Sequence, residues 1–264
     1  VAVREAATVV LLRDGGSGAS AAVETWLMRR VPKMAFAAGM SVFPGGAVDS
    51  TDAWPVDAGP VDGRQAAEGE TADPLRTTAQ QLSTSTAHAG ALVCAAIRET
   101  FEEVGVLLVR PEAPLLEPEL RVGVETRELA FATMLADLNV TLDVAAVRPW
   151  ARWITPEGET RRYDTYFFVA ILPDGIDAAA VTSEASHADW ISVDGALAEY
   201  RRGERPMLPP TISTLTEISR YATAAEVLAA AGQRLINPVE PVIRQKVDGT
   251  WVARIPGIPE EWPL

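Results

Sequence analysis

Apolar and polar positions along the chain fall into runs that predict strands first, then one long helix, then strands and helices again. Ala6–Arg13 (AATVVLLR), rich in valine and leucine, predicts a strand. The glycines of DGGSGAS supply the permissive dihedrals of a turn, and Val23–Arg30 (VETWLMRR) predicts the hairpin partner. A loop, the short run Ser41–Phe43 and the sequence FPGG follow. Residues 51–88 differ: Pro55, Pro60, Pro74, several glycines and a Ser/Thr run predict a long polar excursion. Asp73 and Pro74 have the chemistry to open one short helix within it, a capping residue followed by proline at the first helical position.

Ala87–Val104 predicts a strong helix. Its apolar residues at 93, 96, 97, 101 and 104 keep close to the i, i+3, i+4, i+7 spacing of a buried face. Ser85 or Thr86 can cap its start, and Gly105 can end it in the left-handed conformation. Thr126–Leu138 predicts a second helix, with Thr126 as a candidate cap. Trp150–Ile154, Arg162–Leu172 and Ala188–Val193 predict strands, and Asp194–Arg201 and Thr211–Ala231 predict helices. Val242–Ala253, with Asp248-Gly249 at its middle, predicts a terminal hairpin. Strands, helix, strands, helix is the order of a mixed α/β layer fold.

Composition narrows the function classes. Hydrophobic residues make up 48 % of the 264 positions and charged residues 22 %, enough for a sizeable core. A net charge of −13 argues against nucleic acid as a partner, because that affinity comes from lysine and arginine neutralising phosphates. The single cysteine, Cys94, rules out an internal disulfide and a cysteine-rich zinc site. No apolar run approaches the roughly 20 residues that span a bilayer, so no membrane partner is expected. The first residues lack the pattern of a signal peptide, and Trp262-Pro263-Leu264 is not a Ser-Lys-Leu address; a cytoplasmic location is the expectation.

The unusual chemistry lies at the end of the long helix. RETFEEVG, Arg98–Gly105, sets Glu99, Glu102 and Glu103 on an arc of roughly 100° opposite the apolar stripe. A solvated acidic face is the ordinary explanation for three such acids. Against it, the helix macrodipole disfavours negative charge at this end, and Glu102 and Glu103 repel each other. A divalent cation that prefers oxygen ligands, such as Mg²⁺, would supply the missing charge.

RETFEEVGV, Arg98–Val106, resembles the second half of a Nudix box, G-x5-E-x7-R-E-U-x-E-E-x-G-U with U apolar; Thr100 departs at one apolar position. The first half is not at the usual distance, since Gly90 and Thr84 stand where its acid and glycine belong. It lies upstream, in FPGGAVDSTD, where Gly46 is followed five residues later by Asp52. Between the halves lie 45 residues in place of 7, an insertion of about 38. GMSVFPGG, Gly39–Gly46, is similar to the tail of a motif of coenzyme A-cleaving members of the family. Met28, Val31 and Ala35 depart from its front. AIRETFEEVGVLLVRP, WARWITP, TRRYDTYFF and LPP resemble the split-box branch of peroxisomal coenzyme A diphosphatases.

The resemblance implies a Nudix α/β/α sandwich with a mixed sheet. It is read as one domain over 1–264, with an insertion at about 53–88 and a helical and hairpin extension at about 211–264. It implies Mg²⁺- or Mn²⁺-dependent hydrolysis of a small diphosphate. For coenzyme A or acyl-coenzyme A the products would be 3′,5′-ADP and (acyl-)4′-phosphopantetheine. Another dinucleotide such as NADH or ADP-ribose stays open, as does a domain that senses a nucleotide without turning it over. Glu99, Glu102 and Glu103 would hold metal, with Arg98 orienting a glutamate. Gly45 and Gly46 would let the backbone approach substrate. Either Glu103 or Glu184 would activate water.

Arg162, Asp164 and Tyr166 share one face of a strand, giving either cross-strand ion pairs or, at Arg162, a bidentate grip on a substrate phosphate. His88 and His187 are read as ordinary polar positions, Cys94 as a packed thiol, and Trp150 and Trp153 as core or rim. Leu208-Pro209-Pro210 is read as a helix start. The 53–88 insertion is read as a surface embellishment, with a lid or a homodimer contact as the sharper alternative.

Overall fold

A computed structural model describes residues 2–16, 22–31, 37–53, 73–112, 116–178, 185–255 and 261–263. The first part runs β1 (Val3–Gly15), β2 (Ala22–Arg30), β3 (Ser41–Val42), β4 (Gly45–Ala47), α1 (Pro74–Gln81) and α2 (Thr86–Val104). The middle holds β5 (Val109–Arg110), α3 (Pro118–Glu125), α4 (Phe131–Asp137), β6 (Thr141–Leu142), β7 (Arg148–Ile154), β8 (Arg162–Ile171) and β9 (Ala185–Ser192). The last part comprises α5 (Val193–Arg201), α6 (Pro209–Ile218), α7 (Ala224–Ala231), β10 (Pro238–Val239), β11 (Val242–Gln245), β12 (Trp251–Arg254) and β13 (Glu261–Pro263).

The main sheet has the order β10-β7-β8-β1-β2-β3, with β4 also on β1 and β9 also on β2. β1 pairs with β8 in parallel and with β2 and β4 antiparallel, so the sheet is mixed. Its centre is β1, whose apolar run is buried on both faces, as expected of a strand covered on two sides. Ala7, Val9 and Leu11 face one layer, built from α2, α3 and α4 through Val93, Ile97, Phe101, Val124 and Met134. Val10 and Leu12 face the other, built from α5, α6 and α7 through Leu197, Ile212, Leu215 and Val227. Each such valine or leucine, fully buried, stabilises by about 1.5–3 kcal/mol relative to exposure. This is an α/β/α sandwich.

Two helical expectations need correction. Thr126 does not open a helix; it closes α3, and Arg127 follows with φ +62. The helical segment starts earlier, at Pro118, and α4 begins only at Phe131. The segment expected as one helix over 211–231 is two. Thr223 caps α7 by accepting from Glu226 N–H, and the Glu226 carboxylate accepts from Ala222 N–H, a capping arrangement that starts a new helix. The terminal hairpin is present as β11 and β12, with β13 beside β12.

The described part of the insertion is no surface embellishment. Ala79 and Leu82 are buried, and Gln81 Nε2 donates to the carbonyls of Ala231 and Arg234, tying α1 to the end of α7. Residues 54–72 lie outside the described residues.

Candidate active site

The long helix brings its acids to the edge of β1. α2 starts at the Ser85 cap, whose hydroxyl accepts from His88 N–H, and stops at Gly105 in the left-handed conformation, φ +75. Its apolar stripe lies in the core, so Glu99, Glu102 and Glu103 are turned toward β4 and the loop that follows it. Both ends of β4 are anchored on β1: Thr8 Oγ1 and Val9 N–H donate to the Pro44 carbonyl at 2.9 Å just before it, and Val48 N–H donates to the Glu5 carbonyl at 3.0 Å just after it. Gly45 and Gly46 then pair with Thr8 and Ala7.

The two separated sequence halves meet here. Arg98 Nε and Nη2 donate to the two carboxylate oxygens of Asp52 at 2.7 and 2.9 Å. Nη2 also donates to the Ala47 carbonyl, and Nη1 donates to Glu99 at 2.7 Å and Glu102 at 3.0 Å. Both members are buried, with side-chain exposures of 7 % for Arg98 and 1 % for Asp52. Asp52 is therefore committed to Arg98 and to Asp49 N–H, which donates to it at 2.7 Å. Glu103 accepts from Gly45 N–H at 2.7 Å.

Close backbone approach explains the two glycines. A Cβ on Gly46 would lie 2.5 Å from the Glu99 carboxylate, and one on Gly45 would lie 2.1 Å from Thr8 Oγ1. Gly45 has no room for a side chain, and one at Gly46 would have to push the Glu99 carboxylate aside.

The electrostatics are those of acids crowded out of water. Burial pushes Glu99 up to about 7, Glu102's negative charge adding to it against the pull of Arg98. Burial raises Glu102 as well. For Arg98, burial favours the neutral form, but its bond to Asp52 and the charge of Glu99 hold it above the ordinary arginine value. A second arginine supports the helix end: Arg121 of α3 is buried and its Nε donates to the Glu102 carbonyl at 2.7 Å. This places positive charge where the helix dipole is negative.

Among the described residues, no three metal-ligating side chains are already gathered as a cage. The donor chemistry nonetheless fits a hard divalent cation, since Glu99, Glu102 and Glu103 offer only carboxylate oxygens. Glu99 and Glu102 already converge on one cationic nitrogen, Arg98 Nη1. The cradle beside Glu99 is also one that a Cβ at Gly46 would fill.

Other expected site residues fall elsewhere. Arg162 is not in this cluster; its Nε donates to the Thr155 carbonyl and its Nη2 to Glu240. Asp164 instead accepts from Nε and Nη2 of Arg152, whose guanidinium also lies over the Tyr166 ring. Glu184 lies outside the described residues. Arg121, Asp49 and Arg127 were not singled out by sequence. The signal for the first was Pro118, whose place at the first helical position marks the start of the segment that carries Arg121.

A mixed sheet between two helical layers, with an Arg-Glu-x-x-Glu-Glu helix end facing a Gly-Gly loop, defines a Nudix hydrolase. Residues 3–220 match the NUDT19 Nudix domain, and the chain belongs to that family. Curated relatives include acyl-coenzyme A diphosphatase NUDT19 of Homo sapiens, 29 % identical over 88 % of this chain and 70 % of that protein. The protein of the same name from Gallus gallus is 26 % identical over 96 % of this chain and 78 % of its own length. Among solved structures, a NUDIX hydrolase from Alicyclobacillus acidocaldarius superposes with a TM-score of 0.69. It is 26 % identical, and the match covers 86 % of this chain and 96 % of that one. Nudix hydrolases generally use divalent metal ions. No helix among the described residues is long and apolar enough to cross a membrane.

Proposed function

We propose that this chain hydrolyses the diphosphate bond of coenzyme A or acyl-coenzyme A, giving 3′,5′-ADP and (acyl-)4′-phosphopantetheine. One observation carries the reading: Arg98 and Asp52 join the halves of a divided box so that Glu99, Glu102 and Glu103 end beside the Gly45-Gly46 backbone. The substrate class follows the relatives named acyl-coenzyme A diphosphatase. We assign residues 1–264 to one Nudix domain with an insertion at about 53–88 and an extension at about 211–264.

Glu99, Glu102 and Glu103 would hold Mg²⁺ or Mn²⁺. When bound, the cation neutralises the diphosphate, stabilises the leaving phosphate and makes water more acidic. Arg98 sets the direction of Glu99 and Glu102, and Asp52 holds Arg98 without joining the metal set. Gly45 and Gly46 keep the floor open for the diphosphate. Glu103 or Glu184 accepts the proton of the attacking water. For Arg162 to bind a substrate phosphate, the anion would have to compete with Glu240 for its guanidinium.

The test is a substrate panel. Purified protein with Mg²⁺ is offered coenzyme A, acyl-coenzyme A, NADH and ADP-ribose, and products are identified by mass. Faster turnover of NADH or ADP-ribose than of either coenzyme A substrate contradicts the substrate assignment. Tight binding of one ligand with no turnover of any contradicts catalysis and favours a sensor. The same protein, weighed in solution, decides whether a homodimer forms.

A further inference from the structure

We propose that Arg127 binds substrate, gripping a phosphate oxygen of the diphosphate at the mouth of the site described above. The inference rests on the Nudix diphosphatase reading of that site.

The first observation is backbone cost. Arg127 sits just past the end of α3 with φ +62, and its N–H donates to the Val124 carbonyl at 3.0 Å. This left-handed position after a helix favours glycine, since a Cβ is penalised there. An arginine in that conformation is disfavoured locally, so its side chain is the reason to look for a role.

The second observation is where that side chain goes. It is 69 % exposed, yet its Nη1 reaches Asp49, 78 positions earlier in the chain, at 2.5 Å. Asp49 lies between Gly46 and Asp52, in the same loop whose inner side holds Arg98. Asp49 is itself fixed by Thr51 N–H at 3.0 Å and by the Thr51 hydroxyl at 3.1 Å. Arg127 also acts electrostatically on Glu102, favouring its charged form.

Third, the turn carrying Arg127 is held to the catalytic helix. Arg121 Nε donates to the Glu102 carbonyl, and Leu129 N–H donates to the Gly123 carbonyl at 2.8 Å across the turn. Arg98 and Arg121 are buried against protein groups, whereas Arg127 faces solvent, near enough to Glu102 for its charge to act there, with Nε and Nη2 not engaged by Asp49. A diphosphate approaching three glutamates meets repulsion. A guanidinium at the rim, parked on a carboxylate until an anion arrives, offers the paired donors that phosphate accepts best.

The experiment compares wild type, Arg127→Ala, Arg127→Lys and Arg127→Gly. Binding of ADP, as a plain diphosphate probe, is measured by calorimetry with Ca²⁺, and coenzyme A turnover with Mg²⁺. We expect Arg127→Ala and Arg127→Gly each to weaken ADP binding and raise KM at least about tenfold. Their kcat should stay within about threefold, the signature of lost uniform binding. Arg127→Lys recovers part of the affinity, since lysine keeps the charge but not the fork. Arg127→Gly suits the backbone, so its Tm should stay within about 3 °C of wild type. ADP binding by either neutral variant within twofold of wild type overturns the proposal, as does a wild type that binds no ADP. A wild type that binds ADP but leaves coenzyme A intact sinks the substrate assignment while leaving the Arg127 arm decidable.

Discussion

Arg98 and Asp52 stand 46 positions apart and meet in a two-point ion pair, Nε to Oδ1 at 2.7 Å and Nη2 to Oδ2 at 2.9 Å. The pair is buried, and Arg98 is the cation that neutralises Asp52, whereas Arg98 keeps Glu99 and Glu102 if Asp52 is lost. Removing Arg98 therefore strands a buried carboxylate. Arg98→Ala should destabilise the fold by about 3–5 kcal/mol. At this chain length that is a drop in melting temperature of roughly 6–20 °C, readable by circular dichroism. A drop below about 2 °C would mean that the pair does not join the two halves.

The proton acceptor can be assigned by parallel substitutions. Glu103→Gln and Glu184→Gln are compared for turnover and for Mg²⁺ affinity. The acceptor is the residue whose amide loses about 10²–10⁴ in kcat. A loss of less than about tenfold for Glu184→Gln, with Mg²⁺ affinity intact, removes Glu184 from that role.

Gly46→Ala tests the close approach directly. The added Cβ would fall 2.5 Å from the Glu99 carboxylate, so that side chain must swing away. Activity should fall more than tenfold while Arg98 and Asp52 stay paired and the fold persists. Wild-type kcat in Gly46→Ala would show that Glu99's position is not needed.

The raised Glu99 gives a pH dependence with a definite sign. Its carboxyl, pushed from 4.5 to about 7, is protonated at pH 6, so a cation must displace a proton. Apparent Mn²⁺ affinity, followed by electron paramagnetic resonance, should therefore rise with pH, by up to about tenfold per unit below pH 7, and level off above it. Without metal the sign reverses for stability. The folded state holds this proton more tightly than the unfolded chain, so its contribution is full below about 4.5 and is lost as pH rises through about 7. The metal-free protein should melt higher at pH 6 than at pH 8.

Much of this is legible in the sequence alone. The run at Ala6–Arg13 and the stripe at 93, 96, 97, 101 and 104 each follow from periodicity that burial enforces, and β1 and α2 carry the core accordingly. The split box was legible because each half keeps its own spacing. The breaks in the helices were harder. Helical propensity runs through Thr126 and across Ser219–Thr223, and what interrupts it is local: a left-handed Arg127 and the Thr223–Glu226 cap. The fate of Asp52 was not legible at all. Its spacing marks it as a box acid, and only the fold shows that its two oxygens are taken by Arg98. Arg121 and Arg127 escaped for a related reason, because long-range partners leave no periodic trace.

Two distant segments close into one metal-dependent diphosphatase site. The most direct measurement is coenzyme A hydrolysis by wild type and Glu102→Gln, with products identified, in chelator and after Mg²⁺ is restored. We expect 3′,5′-ADP and 4′-phosphopantetheine from wild type only when Mg²⁺ is present, and at least a hundredfold less from Glu102→Gln. Hydrolysis that survives chelation, or that Glu102→Gln leaves intact, would contradict it.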